Sequence, residues 1–179
     1  MPSDQLTELW QAPADPVAMA EGFELRELRV GDLGWVVSRH GEVYAESYGW
    51  DVGFEELVAG VVGEFAVDHD PDRERGWIAD VGGCSAGSIF CVAEDAETAR
   101  LRLLLVEPWA RGLGVGAALV EACVEFGRAA GYRRMVLWTD EFLTPARRLY
   151  AAAGFRLVSS RVEVAFGHEN IAEDWELVL

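Results

Sequence analysis

Residues 101–139 constrain the fold of this chain more than any other stretch. Leu101–Val106 is an apolar run of strand length, followed by the glycine-rich connection Arg111-Gly112-Leu113-Gly114-Val115-Gly116. Leu119, Val120, Cys123, Phe126 and Ala130 then recur on one face of a helix, which Gly131 ends. Arg134–Thr139 reads as a buried strand. Strand, crossover helix and strand make a βαβ unit with two parallel strands. Within the first strand Arg100, Leu101, Arg102 and Leu103 alternate, but Leu104, Leu105 and Val106 are all apolar. That break in phase predicts a β-bulge or a passage into a doubly covered sheet.

The rest of the sheet is not uniformly parallel, because a hairpin precedes the unit. Gly76–Val81 and Cys84–Ala93 flank Gly82-Gly83, a dipeptide that supplies the positive φ of a tight turn. Upstream, Phe23–Val30 suits a first strand, and Leu33–Glu46 and Phe54–His69 carry helical spacing on either side of Gly49–Gly53. Downstream, Thr144-Pro145 opens a helix as N-cap and first-turn proline, and Gly154 stops it. Phe155–Phe166 and Asp174–Leu179 read as final strands around a loop over 167–173. The expectation is an α/β fold with a mixed, mostly antiparallel sheet of about seven strands around the central βαβ unit. One domain over residues 23–179 follows an N-terminal arm, residues 1–22, which holds Pro2, Pro13 and Pro16.

Charge narrows the function. The chain has no lysine, so all 15 basic residues are arginine and a P-loop NTPase is excluded. A formal net charge of −16 opposes a phosphate backbone, and no nucleic-acid partner is expected. Five arginines and 21 acids precede residue 100, against ten of each from there on, so the second half is the part able to host an anion. Cys84, Cys91 and Cys123 lack CxxC spacing, and His40, His69 and His168 are scattered, which points to a reduced, metal-free protein. No signal-like N-terminus and no apolar run near membrane-span length is present, so a cytoplasmic location and no membrane partner are expected.

Three glycines at alternate positions where a helix begins leave backbone N–H groups unobstructed, and the helix dipole adds positive character: a phosphate cradle. Gly112, Gly114 and Ala117 also satisfy the dinucleotide pattern G-x-G-x-x-A, with Asp140 ending the next strand. That fingerprint needs its first glycine almost directly after the strand, however, whereas Glu107–Arg111 intervenes here with Pro108 inside it.

Arg111, Gly114 and Gly116 match the R-x-x-G-x-G/A loop of the GNAT superfamily of N-acetyltransferases. Ala146 through Phe155 resembles that family's A-x-x-L-Y-x-x-x-G-F segment, although Leu143 stands where the family often has Asn. Leu101–Pro108 and Gly34-Trp35-Val36-Val37 are similar to acetyltransferase modules fused to MarR-type regulators; a winged-helix half is not expected in the roughly 20 residues ahead of the first strand. The resemblance implies a GNAT fold and acetyl-CoA as cosubstrate. Backbone groups of Leu104, Leu105 and Val106 would hold the thioester, and Arg111, Gly112, Leu113, Gly114, Val115, Gly116 and Ala117 the pyrophosphate. It implies Tyr150 as general acid toward the departing thiolate and direct attack by a small-molecule or peptide amine. The base is less specified: Glu107 is the first candidate, with Glu94, Asp95, Glu97, Asp140 and Glu141 after it. Tyr44, Tyr48, Trp50 and Trp138 would line the acceptor pocket, and His168 either faces it or sits in an exposed loop. A homodimer is a further implication. A non-catalytic acyl-CoA-binding or sensor module is the alternative.

Overall fold

In this computed structural model the described residues, 22–179, form eleven main elements in chain order. These are β1 (Glu24–Glu27), α1 (Asp32–Tyr48), α2 (Val52–Asp68), β2 (Arg75–Val81), β3 (Cys84–Ala93), β4 (Thr98–Val106), α3 (Val115–Ala129), β5 (Arg134–Asp140), α4 (Thr144–Ala152), β6 (Arg156–Ala165) and β7 (His168–Val178). A single 3₁₀ turn, Pro108–Ala110, links β4 to the glycine loop. The expected N-terminal arm falls, but for Gly22, outside the described residues.

The strands make one sheet in the order β1-β2-β3-β4-β5-β7-β6, and among the described residues β4 with β5 is its one parallel pair. A hydrophobic core lies on each face. Ile89, Cys91, Leu101 and Leu137 pack with Leu119, Val120 and Cys123 of α3. Ile78, Phe90 and Leu105 pack with Val36, Val43, Phe54, Val58 and Val62 of α1 and α2. Cys123 is wholly buried, as its position on the apolar stripe of α3 predicts.

The break in phase on β4 is a bulge. The β3–β4 register shifts between Ser88 and Phe90, and Leu103 takes a left-handed φ of 54°. The extra residue puts Leu101, Leu104 and Val106 against the α3 core while Leu103 and Leu105 turn to the α1/α2 core. A Cβ at Gly87 would stand 2.6 Å from the Leu105 carbonyl oxygen and 3.1 Å from Leu119. Gly87→Ala is therefore expected to destabilise the protein by about 1–3 kcal/mol, read as a lower urea midpoint at unchanged m-value.

Two expectations about the second half are corrected. Residues 167–173 are not a loop, because β7 starts at His168 and the hairpin closes through Phe166 and Gly167, whose φ values of 54° and 83° are both positive. Polar residues hid the strand: Asn170 and Glu173 are buried while Ile171 is exposed. Thr144 is not the N-cap of α4. Leu143 holds that position without a side-chain cap, its side chain drawn into the α1/α2 core, and the Thr144 hydroxyl donates to the Phe142 carbonyl at 3.4 Å. β1 is also shorter than expected, because the chain turns at Arg29, whose N–H donates to Asp32 Oδ2 at 2.5 Å and whose carbonyl accepts from the Asp32 N–H at 3.1 Å.

Candidate active site

β4 and β5 pair over Thr98–Arg100 and Arg134–Val136 and then part, β5 continuing against β7 as far as Asp140. The β5-facing edge of β4 beyond Arg100 is thus left without a strand partner among the described residues. A groove of about 590 Å³ runs from Arg111, Gly112, Gly114 and Gly116 along Leu104, Leu105 and Val106 toward α4. Beyond it lies a smaller cavity of about 100 Å³ that reaches Tyr150 and Trp138. Tyr44, Leu104, Leu143 and Ala146 form the wall common to both.

The loop does two separate jobs. Gly112 and Gly114 have φ of 82° and 87°, a conformation side chains rarely adopt, and the space around each is open, Phe23 being the nearest neighbour of Gly114 at 3.9 Å. Gly114 is the N-cap of α3, and the first backbone bond of that helix runs from the Ala118 N–H to the Gly114 carbonyl at 3.1 Å. The N–H groups of Val115, Gly116 and Ala117 are left over, at the positive end of the helix dipole. Gly116 instead serves packing, since a Cβ there would lie 2.7 Å from Leu149 Cδ1. Val115 is buried and Leu113 packs on the α3 core, so these two can offer an anion only backbone. Arg111 is exposed at the groove.

Tyr150 lines the smaller cavity at 5% exposure, its ring 6.0 Å from that of Phe155, and its hydroxyl has no hydrogen bond to a described residue. Burial raises its pKa far above the ordinary phenol value, so it stays protonated. Burial does the same for the Tyr44 hydroxyl.

Glu107 is differently employed. The Arg39 guanidinium donates to its two carboxylate oxygens at 2.6 and 2.9 Å, and Glu107 lines neither cavity. This part-buried fork ties α1 to the end of β4. Among the other acids, Glu94 is held by Arg100 at 2.5 and 2.9 Å, and Asp95 accepts from the Glu97 and Thr98 N–H groups at 2.8 Å. Glu97 and Glu141 are exposed.

Asp140 is fully buried and neither of its oxygens has a partner among the described residues. Burial, with the nearby charges of Glu163 and Glu173, pushes its carboxyl up to about 6. A carboxyl raised on folding contributes stability below its unfolded value, near 4, and loses that contribution as pH rises through 6. Asp140→Asn, which carries no charge, should therefore gain stability relative to the natural chain between pH 4 and pH 7. Urea midpoints of both proteins across that range check this.

Tyr44, Trp50 and Trp138 line the smaller cavity and Tyr48 the groove. Tyr44 is 4.5 Å from Phe54 and 4.9 Å from Trp50, ring to ring. His168 is exposed and lines neither space; its Nε2 bonds the Gly49 carbonyl at 2.9 Å and ties the β6–β7 hairpin to the turn after α1. Sequence reasoning missed His40, Arg100 and Arg102, all on the smaller cavity. His40, Tyr44 and Tyr48 are spaced by four on one helix face, and the two arginines alternate on β4, signals that were present. His40 donates from Nδ1 to the Val36 carbonyl at 2.8 Å, leaving Nε2 as a buried acceptor without a partner, and burial pulls its pKa down to about 4. Among the described residues no cluster of His, Cys, Asp or Glu is placed to hold a metal, and no helix is long and apolar enough to cross a membrane.

Residues 24–155 match the model of the acetyltransferase (GNAT) family. An uncharacterized N-acetyltransferase of Schizosaccharomyces pombe is 41% identical over 56 residues, 31% of this chain and 34% of that protein. Mycothiol acetyltransferase of Beutenbergia cavernae is 34% identical over 80 residues, 45% of this chain and 27% of that protein. The chain spans only 27% to 40% of the length of the curated relatives it matches. In fold it is similar to an acetyltransferase from Streptococcus agalactiae, with a TM-score of 0.73 at 22% identity over 89% of this chain and 99% of that one. It is also similar to a Salmonella typhimurium protein solved with its cofactor acetyl-CoA, with a TM-score of 0.71 at 14% identity over 88% and 94%.

Proposed function

The chain belongs to the acetyltransferase (GNAT) family, and from that premise we propose that it transfers an acetyl group from acetyl-CoA to an amine acceptor by direct attack. The observation that carries the reading is the parting of β4 from β5 beside a helix N-terminus with unused N–H groups, one continuous groove between them. The residues fit the donor. The open space at Gly112 and Gly114 admits a pyrophosphate to the backbone of the loop, and Arg111 adds charge from the rim. The apolar flank of Leu104, Val106 and Leu149 accepts the pantetheine arm. Acetyl-CoA supplies an activated thioester. Backbone N–H groups on the free edge of β4 stabilise charge developing on its oxygen, and Tyr150 offers its proton to the sulfur side.

Glu107 takes a positioning role here rather than that of base. A carboxylate bound at both oxygens by a half-buried guanidinium has one lone pair of each oxygen engaged, and the pair holds α1 against β4. Among the described residues no acid lines either cavity, so the acceptor amine arrives neutral or passes its proton to water. That same shortage of carboxylates favours the second reading, an acyl-CoA-binding or sensor module akin to the half fused to MarR-type regulators. A cytoplasmic location belongs to the proposal, as does a homodimer, for which edge strand β6 offers exposed Leu157, Val158, Val162 and Val164. Titration with acetyl-CoA, paired with a turnover assay over a panel of amines, decides between the readings. Binding with turnover is the expected result, and binding without turnover favours the module.

A further inference from the structure

The smaller cavity carries a charge that the acetyl donor does not use. Arg100 and Arg102 lie two residues apart on β4, before its bulge, so both side chains stand on the sheet face covered by α1 and α2, and both line the cavity. Arg100 is engaged by Glu94 through two nitrogens. Arg102 is half-buried and has neither a hydrogen bond nor an ion pair among the described residues. Burial and the neighbouring Arg100 lower its pKa from the ordinary arginine value; the opposing fields of Glu94 and Glu64 reach it without either acid pairing with it. A guanidinium drawn out of water without a counter-ion is a costly arrangement that a bound anion relieves. Its planar fork matches a carboxylate.

The rest of the lining is complementary. His40 is 1% exposed and its unpartnered Nε2 is an acceptor for an N–H donor. Tyr44, Trp50 and Trp138 supply apolar surface to the same cavity. At about 100 Å³ the cavity keeps a donor group and an anion of one occupant close together. The chain as a whole is strongly acidic, so an unpaired arginine here is a local exception to its field.

We infer that the acceptor is a small amine that itself carries a carboxylate, received by Arg102, with its amino group donating to His40 Nε2 beside Tyr44, on the side that the cavity shares with the groove. This rests on the N-acetyltransferase reading above and names the acceptor class for that same site. An amino acid offered as its free acid is then a better ligand than its carboxamide, which has the same amine and nearly the same shape but no charge.

The test measures binding of matched pairs, the protein amino acids as free acids and as carboxamides, to CoA-saturated protein by calorimetry, alongside turnover of both series with acetyl-CoA. At least one free acid should bind about tenfold or more tightly than its carboxamide. Arg102→Gln should erase that difference with CoA affinity unchanged, and Arg102→Lys should keep part of it. Carboxamides binding as well as the acids, a preference that survives Arg102→Gln, or binding by neither series would overturn the inference while leaving the donor site standing. Failure of CoA itself to bind the natural chain would instead remove the proposed function beneath it.

Discussion

Gly114→Glu should reduce acetyl-CoA affinity by at least about 10²-fold, close to 2.7 kcal/mol. Gly114 is the N-cap of α3 with φ of 87°, at the mouth of the groove, and a Cβ there would meet nothing nearer than Phe23 at 3.9 Å. A carboxylate at this position enters the space assigned to pyrophosphate and brings like charge to the phosphates it would have to share that space with. It also carries a backbone penalty of about 1–2 kcal/mol for left-handed φ. Gly114→Asn separates the two effects, because asparagine tolerates that conformation and adds no charge. Calorimetry on both variants, with thermal unfolding as a check on folding, is the measurement. The asparagine variant should bind much more tightly than the glutamate one; equal affinity for the natural chain and a folded Gly114→Glu would withdraw the pyrophosphate assignment.

Tyr150→Phe should slow acetyl transfer by about 10²-fold while acetyl-CoA affinity changes little. The ring still packs on Phe155, and only a hydroxyl without a described partner is lost. The effect sits at the low end for general acid catalysis because burial raises the phenol's pKa and the thiol is itself a modest acid. Single-turnover transfer to an active amine, read beside equilibrium CoA binding, checks it. An unchanged rate with chemistry limiting makes Tyr150 a packing residue. A collapse in affinity makes it a cofactor-binding one.

Much of this site could be read along the chain because its parts are local. The loop glycines and the helix they open are contiguous, and the apolar run Leu104-Leu105-Val106 announced the bulge through its broken phase. What escaped depends on distant partners. Glu107 beside Pro108 looks like a free carboxylate at a cleft until Arg39, 68 residues away, occupies it. Asp140 looks like a strand-end acid, yet it is sealed without a partner. The first half of β7 escaped because its alternation runs against residue type, with Asn170 inward and Ile171 outward, whereas the stretch from Asp174 read as a strand. The four-residue spacing of His40, Tyr44 and Tyr48 was legible, but the burial of His40 was not, since it follows from α2 and the sheet closing over α1.

With the acyl donor assigned to the gap between β4 and β5, a crystal structure of the CoA complex is the deciding measurement. The pyrophosphate should lie on the amides between Gly112 and Ala117, the pantetheine arm along the free edge of Leu104–Val106, and the sulfur at the wall shared by the two cavities, facing Tyr150. CoA bound elsewhere, or a pantetheine arm that leaves the β4–β5 gap empty, would contradict that assignment.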